Sequence, residues 1–391
     1  MSESVRKRIA IVSNTSWSIY NFRLSLIRFL KEQGFHVHVI APKDRFSARL
    51  VSEGISYHNL FLDNYSINPF KDIQTTRQLS KIYKEYNFDF VIHYTIKLNI
   101  YGSYAAQSRG IPSIAITTGL GHLFSFKNSL VRQIVRLLYV QGCRMSKEVG
   151  FLNESDREEF IRKKIVQRSK TFVLPSEGID LEYFSPINGD NYNRKTKTFL
   201  FAGRVLWEKG VGEFKEAAER ILKIHPDFKF QILGFVDPSN PNAIPFEKLE
   251  SWQNSGIIEY LGETEDIRPF LRNVDCVVFP SYYREGISRI LLEAASMAIP
   301  IITTDNVGCR DVVAHNKSGY LCKPKDVDDL VDKINLFVAL DSEDKTAMGQ
   351  YGRELVSSKF DIEIVNQHYL NLINKYIPQS AENEIKSSVK S

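Results

Sequence analysis

Short apolar runs alternating with helical periodicity constrain this chain more than any single residue does, because the pattern is laid down twice. In the first half, residues 8–13, 36–41, 56–61, 88–94, 113–117, 149–152 and 171–174 read as strands. Helical spacing falls between them, as in 70–86, where Phe70, Ile73, Leu79, Ile82 and Tyr83 recur on one face. The second half restarts with strands at 197–202, 229–233, 257–261, 276–279 and 300–304, and helices at 212–224, 287–298 and 327–340. Strands joined through helices run parallel, and a parallel sheet is covered on both faces. The fold class is therefore α/β, with two doubly wound, Rossmann-like sheets.

The 391 residues are enough for two domains. The stretch SPINGDNYNR at 185–194 is polar, turn-rich and aperiodic, which suits a linker. We expect one domain over 1–185 and a second over 186–360, facing each other across a cleft. A helix over 361–377 is expected to cross back to the first domain. The polar stretch 378–391 is expected to be a disordered tail.

Charge divides the chain as well. Residues 1–185 carry 26 Lys+Arg against 16 Asp+Glu, and the remainder 25 against 30. Between Asp89 and Glu148 there are seven cations and no acid. A positive half selects an anionic partner: nucleic acid, anionic lipid or a phosphorylated substrate. No nucleic-acid motif and no interleaving of aromatic with basic residues is present, so nucleic acid is not expected. No run approaches the ~20 apolar residues of a spanning helix. The opening MSESVRKRIAIVSN has no apolar core of the kind a secretory leader carries. Cys143, Cys276, Cys309 and Cys322 are scattered without a CxxC pair, as in a reducing, cytoplasmic setting.

Two segments of the second half carry the chemistry. The strand at 198–202 runs into Gly203-Arg-Val-Leu-Trp-Glu-Lys-Gly210. Gly203 lets the backbone turn, and Arg204 and Lys209 place two cations beside a helix N-terminus, which suits a diphosphate. Read alone, the pair fits a solvated surface loop equally well. The strand at 276–279 runs into Pro280-Ser-Tyr-Tyr-Arg-Glu-Gly-Ile-Ser-Arg-Ile-Leu-Leu-Glu293. Glu285 stands just ahead of the helix, and the amides of Gly286, Ile287 and Ser288 are then expected as open donors at the positive end of its dipole. Glu293, about two turns in, can take two ribose hydroxyls. The alternatives are a capping interaction for Glu285 and a surface charge for Glu293.

EGISRILLE, with two glutamates separated by seven residues, together with AGR…WEKG upstream, resembles the retaining glycosyltransferase family 4 of GT-B architecture. That resemblance implies that Arg204 and Lys209 hold the donor diphosphate, that Glu285 contacts the donor sugar, and that Glu293 binds the ribose. It also implies that 258–262 walls the base pocket and that the first domain takes the acceptor. The opening loop, IVSNTSWSIYNFR at 11–23, fits this division: it has none of the glycines of a dinucleotide fingerprint, but offers hydroxyls, an amide and an aromatic face. Ser16, Trp17 and Ser18 are expected to reach the acceptor, with Arg23 opening the helix behind them. SIYNFR, with YSINP at 65–69, KLNIYG at 97–102 and TGLGH at 118–122, is similar to transferases that extend undecaprenyl-diphosphate-linked sugars. The similarity implies a UDP-sugar donor, best matched by N-acetylgalactosamine in α-1,3 linkage, and an undecaprenyl-diphosphate-HexNAc acceptor. Within these segments Lys97 can neutralise the acceptor diphosphate, with Asn99 beside it at the acceptor, and Gly119 and Gly121 would let their loop approach the donor phosphates; His122 can donate a hydrogen bond to the acceptor or the transferred sugar, or be an ordinary polar loop residue.

Residues 123–139 carry Phe126, Leu130, Ile134, Leu137 and Leu138 with Lys127, Arg132 and Arg136 and no acid. This reads as a basic amphipathic helix of membrane-surface type, or as an ordinary helix packing its apolar side on a sheet. With a lipid-linked acceptor, we expect peripheral placement on the anionic cytoplasmic face of the inner membrane. Asp326-Val-Asp328 is the sole DxD and begins a late, charged helix, so no metal or other cofactor is expected. Two rival functions remain open on these residues: an NDP-sugar 2-epimerase, and a non-catalytic nucleotide-sugar-binding module.

Overall fold

The structure is a computed structural model that describes residues 6–64, 68–119, 129–186, 196–238 and 240–378, with the side chains of 129–131 outside the description. The chain forms two compact units, one of residues 1–178 with 362–391 and one of residues 179–361. The first therefore ends at Gly178, ahead of the polar stretch where the sequence places the seam, and the chain re-enters it at Ile362. Positions 187–195 of that stretch, and 379–391 of the expected tail, lie outside the described residues.

In the first unit the strands are β1 (Arg8–Val12), β2 (His36–Ala41), β3 (Ser56–Asn59), β4 (Phe90–Tyr94), β5 (Ser113–Thr117), β6 (Glu148–Phe151) and β7 (Thr171–Val173). They form one parallel sheet in the order β3-β2-β1-β4-β5-β6-β7. Every residue of β4 and β5 is buried, the mark of a parallel strand covered on both faces. The covering helices are α1 (Ser16–Glu32), α2 (Ser47–Ser52), α3 (Pro69–Tyr86), α4 (Ile96–Gln107), α5 (Ser129–Met145) and α6 (Glu154–Arg162). Helix α1 starts at Ser16, so that Arg23 lies within it rather than at its opening, because the Thr15 hydroxyl caps it by accepting from the Ser18 amide at 3.1 Å. Asn68 caps α3 in the same way, with Pro69 at the first position, where no amide is needed.

In the second unit, β8 (Thr198–Ala202), β9 (Lys229–Leu233), β10 (Glu259–Tyr260), β11 (Cys276–Phe279), β12 (Ile301–Thr304) and β13 (Gly319–Cys322) form a parallel sheet in the order β10-β9-β8-β11-β12-β13. Helices α7 (Val211–Leu222), α8 (Phe246–Asn254), α9 (Arg268–Leu271), α10 (Arg289–Ser296), α11 (Val327–Ala339) and α12 (Ser342–Phe360) accompany it. Its core is one aromatic-rich cluster in which Phe199 stacks on Phe230 and Phe201 on Phe279. Three expectations need correction here. The strand expected at 257–261 pairs over two residues only, the helix expected from 287 starts at Arg289, and β13 had no counterpart in the sequence reading. After α12, the helix α13 (Ile362–Tyr376) joins the first unit, where the Tyr94 hydroxyl donates to that of Tyr369 at 2.8 Å.

Candidate functional site

Both sheets reverse their winding once, and at such a point the loops leaving neighbouring strands emerge side by side with nothing between them. In the second unit the reversal lies between β8 and β11. The loops involved are 203–210 and 280–288, the two that carry the motifs. Their approach is close enough to dictate sequence. Gly210 has φ 81°, and a Cβ there would stand 2.1 Å from the Pro280 carbonyl oxygen. The amides of Tyr282 and Tyr283 donate to the Glu208 carbonyl at 3.1 and 2.9 Å, tying the loops together.

This arrangement brings Lys209 and Glu285 into direct contact as an ion pair, with side chains only 9% and 12% exposed. The Ser281 hydroxyl also donates to Glu285 Oε1, at 3.2 Å. Lys209 Nζ sits 4.7 Å from the centre of the Tyr283 ring. Burial, reinforced by the charge of Glu285, pushes the Tyr283 hydroxyl up to about 12. Behind the pair, Gly308 lies against Glu285 so tightly that a Cβ would come within 2.6 Å of the glutamate's own. Arg204 is exposed and forms no ion pair among the described residues. The loop thus presents one open cation and one that is neutralised. Gly203, at φ 149°, turns the chain off β8 as expected.

Glu293 sits inside α10, its carboxylate 2.9 Å from Arg289 Nε. Burial raises its carboxyl above the usual range, with Arg289 opposing. It is an enclosed acceptor rather than a surface charge. Glu285 precedes the helix by four residues and makes no cap. Of the open amides expected at 286–288, that of Ser288 needs correction: Ser288 is the N-cap residue of α10, and its amide already donates to Gly308 at 3.0 Å. Gly286 has a partner as well, and Ile287 is half-buried in the loop.

In the first unit the reversal lies between β1 and β4, and several expected acceptor residues turn out to be framework. Ser16 is fully buried, donating to the Pro42 carbonyl at 2.8 Å. Arg23 is 3% exposed, pairs with Glu177 at 2.5 Å, donates to Ser18 O at 2.9 Å and lies over the Tyr94 ring. Asn99 is 1% exposed and bridges Ile116 O and the Tyr139 hydroxyl. The charge of Lys97 is answered by Asp72 at 2.8 Å. Helical geometry turned these side chains inward. Trp17 stays 44% exposed, edge-on to Phe22, and the Ser18 hydroxyl contacts that of Ser13 at 2.8 Å. Gly119, at φ 139°, ends β5 with freedom to turn, whereas Gly121 and His122 lie outside the described residues.

The sequence reading missed Thr95, the residue after β4. It holds φ 73°, a costly conformation for a β-branched side chain and one that clusters at functional sites. Ser281 and Gly308 were missed too. Ser281 lies four residues before Glu285 in the same loop, whereas Gly308 carries no local signal.

Helix α5 shows two apolar faces. Tyr139 and Cys143 are buried in the unit, while Ile134, Leu137 and Leu138 are exposed beside Arg132 and Arg136. No helix among the described residues is long and apolar enough to cross a membrane. The DxD carboxylates are committed: Asp326 caps α11 by accepting from the Asp329 amide at 3.0 Å, and Asp328 pairs with Arg220.

Known proteins are similar to this chain in sequence and in fold. The family described as Glycosyl transferases group 1 matches residues 188–355, and that described as Glycosyl transferase 4-like matches 8–148. A Campylobacter jejuni protein named N,N'-diacetylbacillosaminyl-diphospho-undecaprenol alpha-1,3-N-acetylgalactosaminyltransferase is 32% identical over 95% of this chain and 99% of its own. The Escherichia coli UDP-Gal:alpha-D-GlcNAc-diphosphoundecaprenol alpha-1,3-galactosyltransferase is 29% identical over 69% of this chain and 71% of its own. Among solved structures, a Rickettsia africae glycosyltransferase superposes with TM-score 0.76 at 18% identity, covering 96% of this chain and 100% of that one. Anabaena Alr3699/HepE in complex with UDP and glucose superposes with TM-score 0.76 at 17% identity, covering 95% and 100%. These two likenesses bear on the fold alone.

Proposed function

The chain belongs to the group 1, family 4-like glycosyltransferases, and from that premise we propose that it moves a sugar from a UDP-sugar to an undecaprenyl-diphosphate-linked HexNAc. The best match for the transferred sugar is N-acetylgalactosamine, in α-1,3 linkage. The observation that carries this reading is full-length similarity to a transferase named for that reaction, with the motif residues converging at the switch point of the second sheet.

Glycosyl transfer needs a stabilised leaving group and an aligned acceptor hydroxyl. Arg204 and Lys209 stabilise the departing diphosphate, Glu285 contacts the donor sugar, and Glu293 holds the ribose. No metal is needed for this, a reading supported by two local cations and by DxD carboxylates engaged elsewhere. The acceptor lies on the first unit at the carboxyl ends of β1 and β4, where Trp17, Ser18 and the strained Thr95 gather. Arg132, Arg136 and the outward leucines of α5 hold that unit to an anionic membrane surface. Each basic residue there contributes about 1 kcal/mol.

The test is a transfer assay with labelled UDP- and GDP-sugars and synthetic undecaprenyl-diphosphate-HexNAc, with and without EDTA. Label should enter the lipid fraction from a UDP-sugar, unchanged by EDTA. Lys209→Ala and Glu285→Ala should each cut the rate roughly a hundredfold or more. Epimerisation of the UDP-sugar with no label in lipid would replace transfer by the epimerase reading. Binding without turnover would leave a binding module.

A further inference from the structure

Lys209 and Glu285 have opposite tasks at a donor site, one taking the diphosphate and the other the sugar, yet in the structure they take each other. We propose that this pair is an internal counter-ion that makes the site discriminate an intact nucleotide-sugar from the bare nucleoside diphosphate. The inference rests on the donor-site reading above and concerns how that site chooses between donor and product.

The argument is electrostatic and local to the second unit. Both side chains are nearly enclosed, so their mutual attraction is screened far less than at a surface, and separating them leaves an uncompensated buried charge. The loops that carry the pair are held in place. Gly308 packs against Glu285 on one side, and Gly210 packs on the Pro280 carbonyl at the base of the lysine loop. A diphosphate arriving at Lys209 draws the ammonium toward itself and places its own negative charge beside Glu285. Among the described residues the carboxylate then keeps the Ser281 hydroxyl, at 3.2 Å.

A UDP-sugar compensates for that loss, since its hydroxyls donate to the stranded carboxylate. UDP alone does not. Glu285 therefore opposes the bare diphosphate, and once the sugar has left it recaptures Lys209 and expels the product. Arg204, exposed and outside the pair, gives either ligand its first cationic contact. Ser281 is a positioning residue, because its hydrogen bond sets how strongly the carboxylate depends on the lysine.

The measurement is calorimetric titration of the full-length protein with UDP at fixed pH and salt, for wild type, Glu285→Gln, Ser281→Ala and Lys209→Met. Glu285→Gln should bind UDP about tenfold more tightly while losing transfer activity. Ser281→Ala should bind UDP several-fold more weakly, and Lys209→Met more weakly still. Opposite signs at adjacent residues are not what general damage to the loop produces. Should Glu285→Gln fail to fold, the weakening in Ser281→Ala carries the test. A folded Glu285→Gln protein with unchanged or weaker UDP affinity, or an unchanged Ser281→Ala protein, overturns the counter-ion role and leaves the donor site standing. If folded wild type binds no UDP, the donor-site reading fails and the counter-ion role with it.

Discussion

His93 and His38 are kept neutral inside the first unit. His93 is fully buried, its Nε2 2.9 Å from the Tyr83 hydroxyl, and burial lowers it to about 3. Burial, with the charges of His36, His58 and Arg8 behind it, lowers His38 to about 4, and its Nδ1 contacts His58 Nε2 at 2.8 Å. An unfolded chain protonates both near 6.5, whereas the folded one resists until the lowered values are reached. Their contribution is therefore complete above about pH 6.5 and is lost as pH falls toward 4. The rate of loss approaches ~1.4 kcal/mol per pH unit for each group that only the unfolded chain has protonated. Urea midpoints taken from pH 7.5 to 4.5 should fall accordingly, and less steeply in His93→Gln. A level profile over that range would contradict the assignment. At this scale the sequence conveys residue type and spacing but not facing. That is why spacing could put Lys209 and Glu285 in two loops that meet, whereas it did not show that Ser16, Arg23 and Asn99 are buried. Ser281 and Gly308 matter through contacts that only the folded loops create.

Among the elements, helix α4 shows how tightly the first unit is assembled. A Cβ on Gly102 would stand 2.4 Å from Cδ2 of the His93 ring, which Tyr83 holds in place. Gly102→Ala should destabilise the unit by about 1–3 kcal/mol, read from the urea midpoint, because the ring has nowhere to go. Strands such as β2, β5, β9 and β11 were legible to the residue, since buried Val, Ile or Phe residues recur in each. Shorter elements were not. Strand β13 is four residues with a glycine at its start, and β10 pairs over only two. The start of α1 depends on a single hydroxyl cap, which periodicity does not register.

On the scale of the whole molecule, the first unit is discontinuous. Helix α13 supplies Tyr369 to Tyr94, and both Lys375 and Tyr376 reach Glu148 at 2.6 Å. A chain ending at Asp361 should lose several kcal/mol of stability in this unit, because buried Tyr94 would lose buried Tyr369 and buried Glu148 would lose both its partners. Trp17 is the tryptophan of this unit, with Trp207 and Trp252 in the other. A Trp207→Phe, Trp252→Phe background therefore isolates its fluorescence for the measurement. If Trp17 reports the same urea midpoint with and without α13, the helix is not part of the unit's stabilising core. Two Rossmann-like sheets were legible from the repeated alternation, but the partners of the returning helix were not, since nothing local to 362–376 names Tyr94 or Glu148.

That return also fixes an order of events during synthesis. A ribosome delivers all seven strands of the first unit early, then the whole of 179–361, and only afterwards the helix that completes what came first. The second unit can close while the first still lacks its last helix. Newly made copies therefore pass through an interval in which the second unit is finished and the first is open to chaperones and proteases. Emergence of 362–376 from the exit tunnel ends that interval.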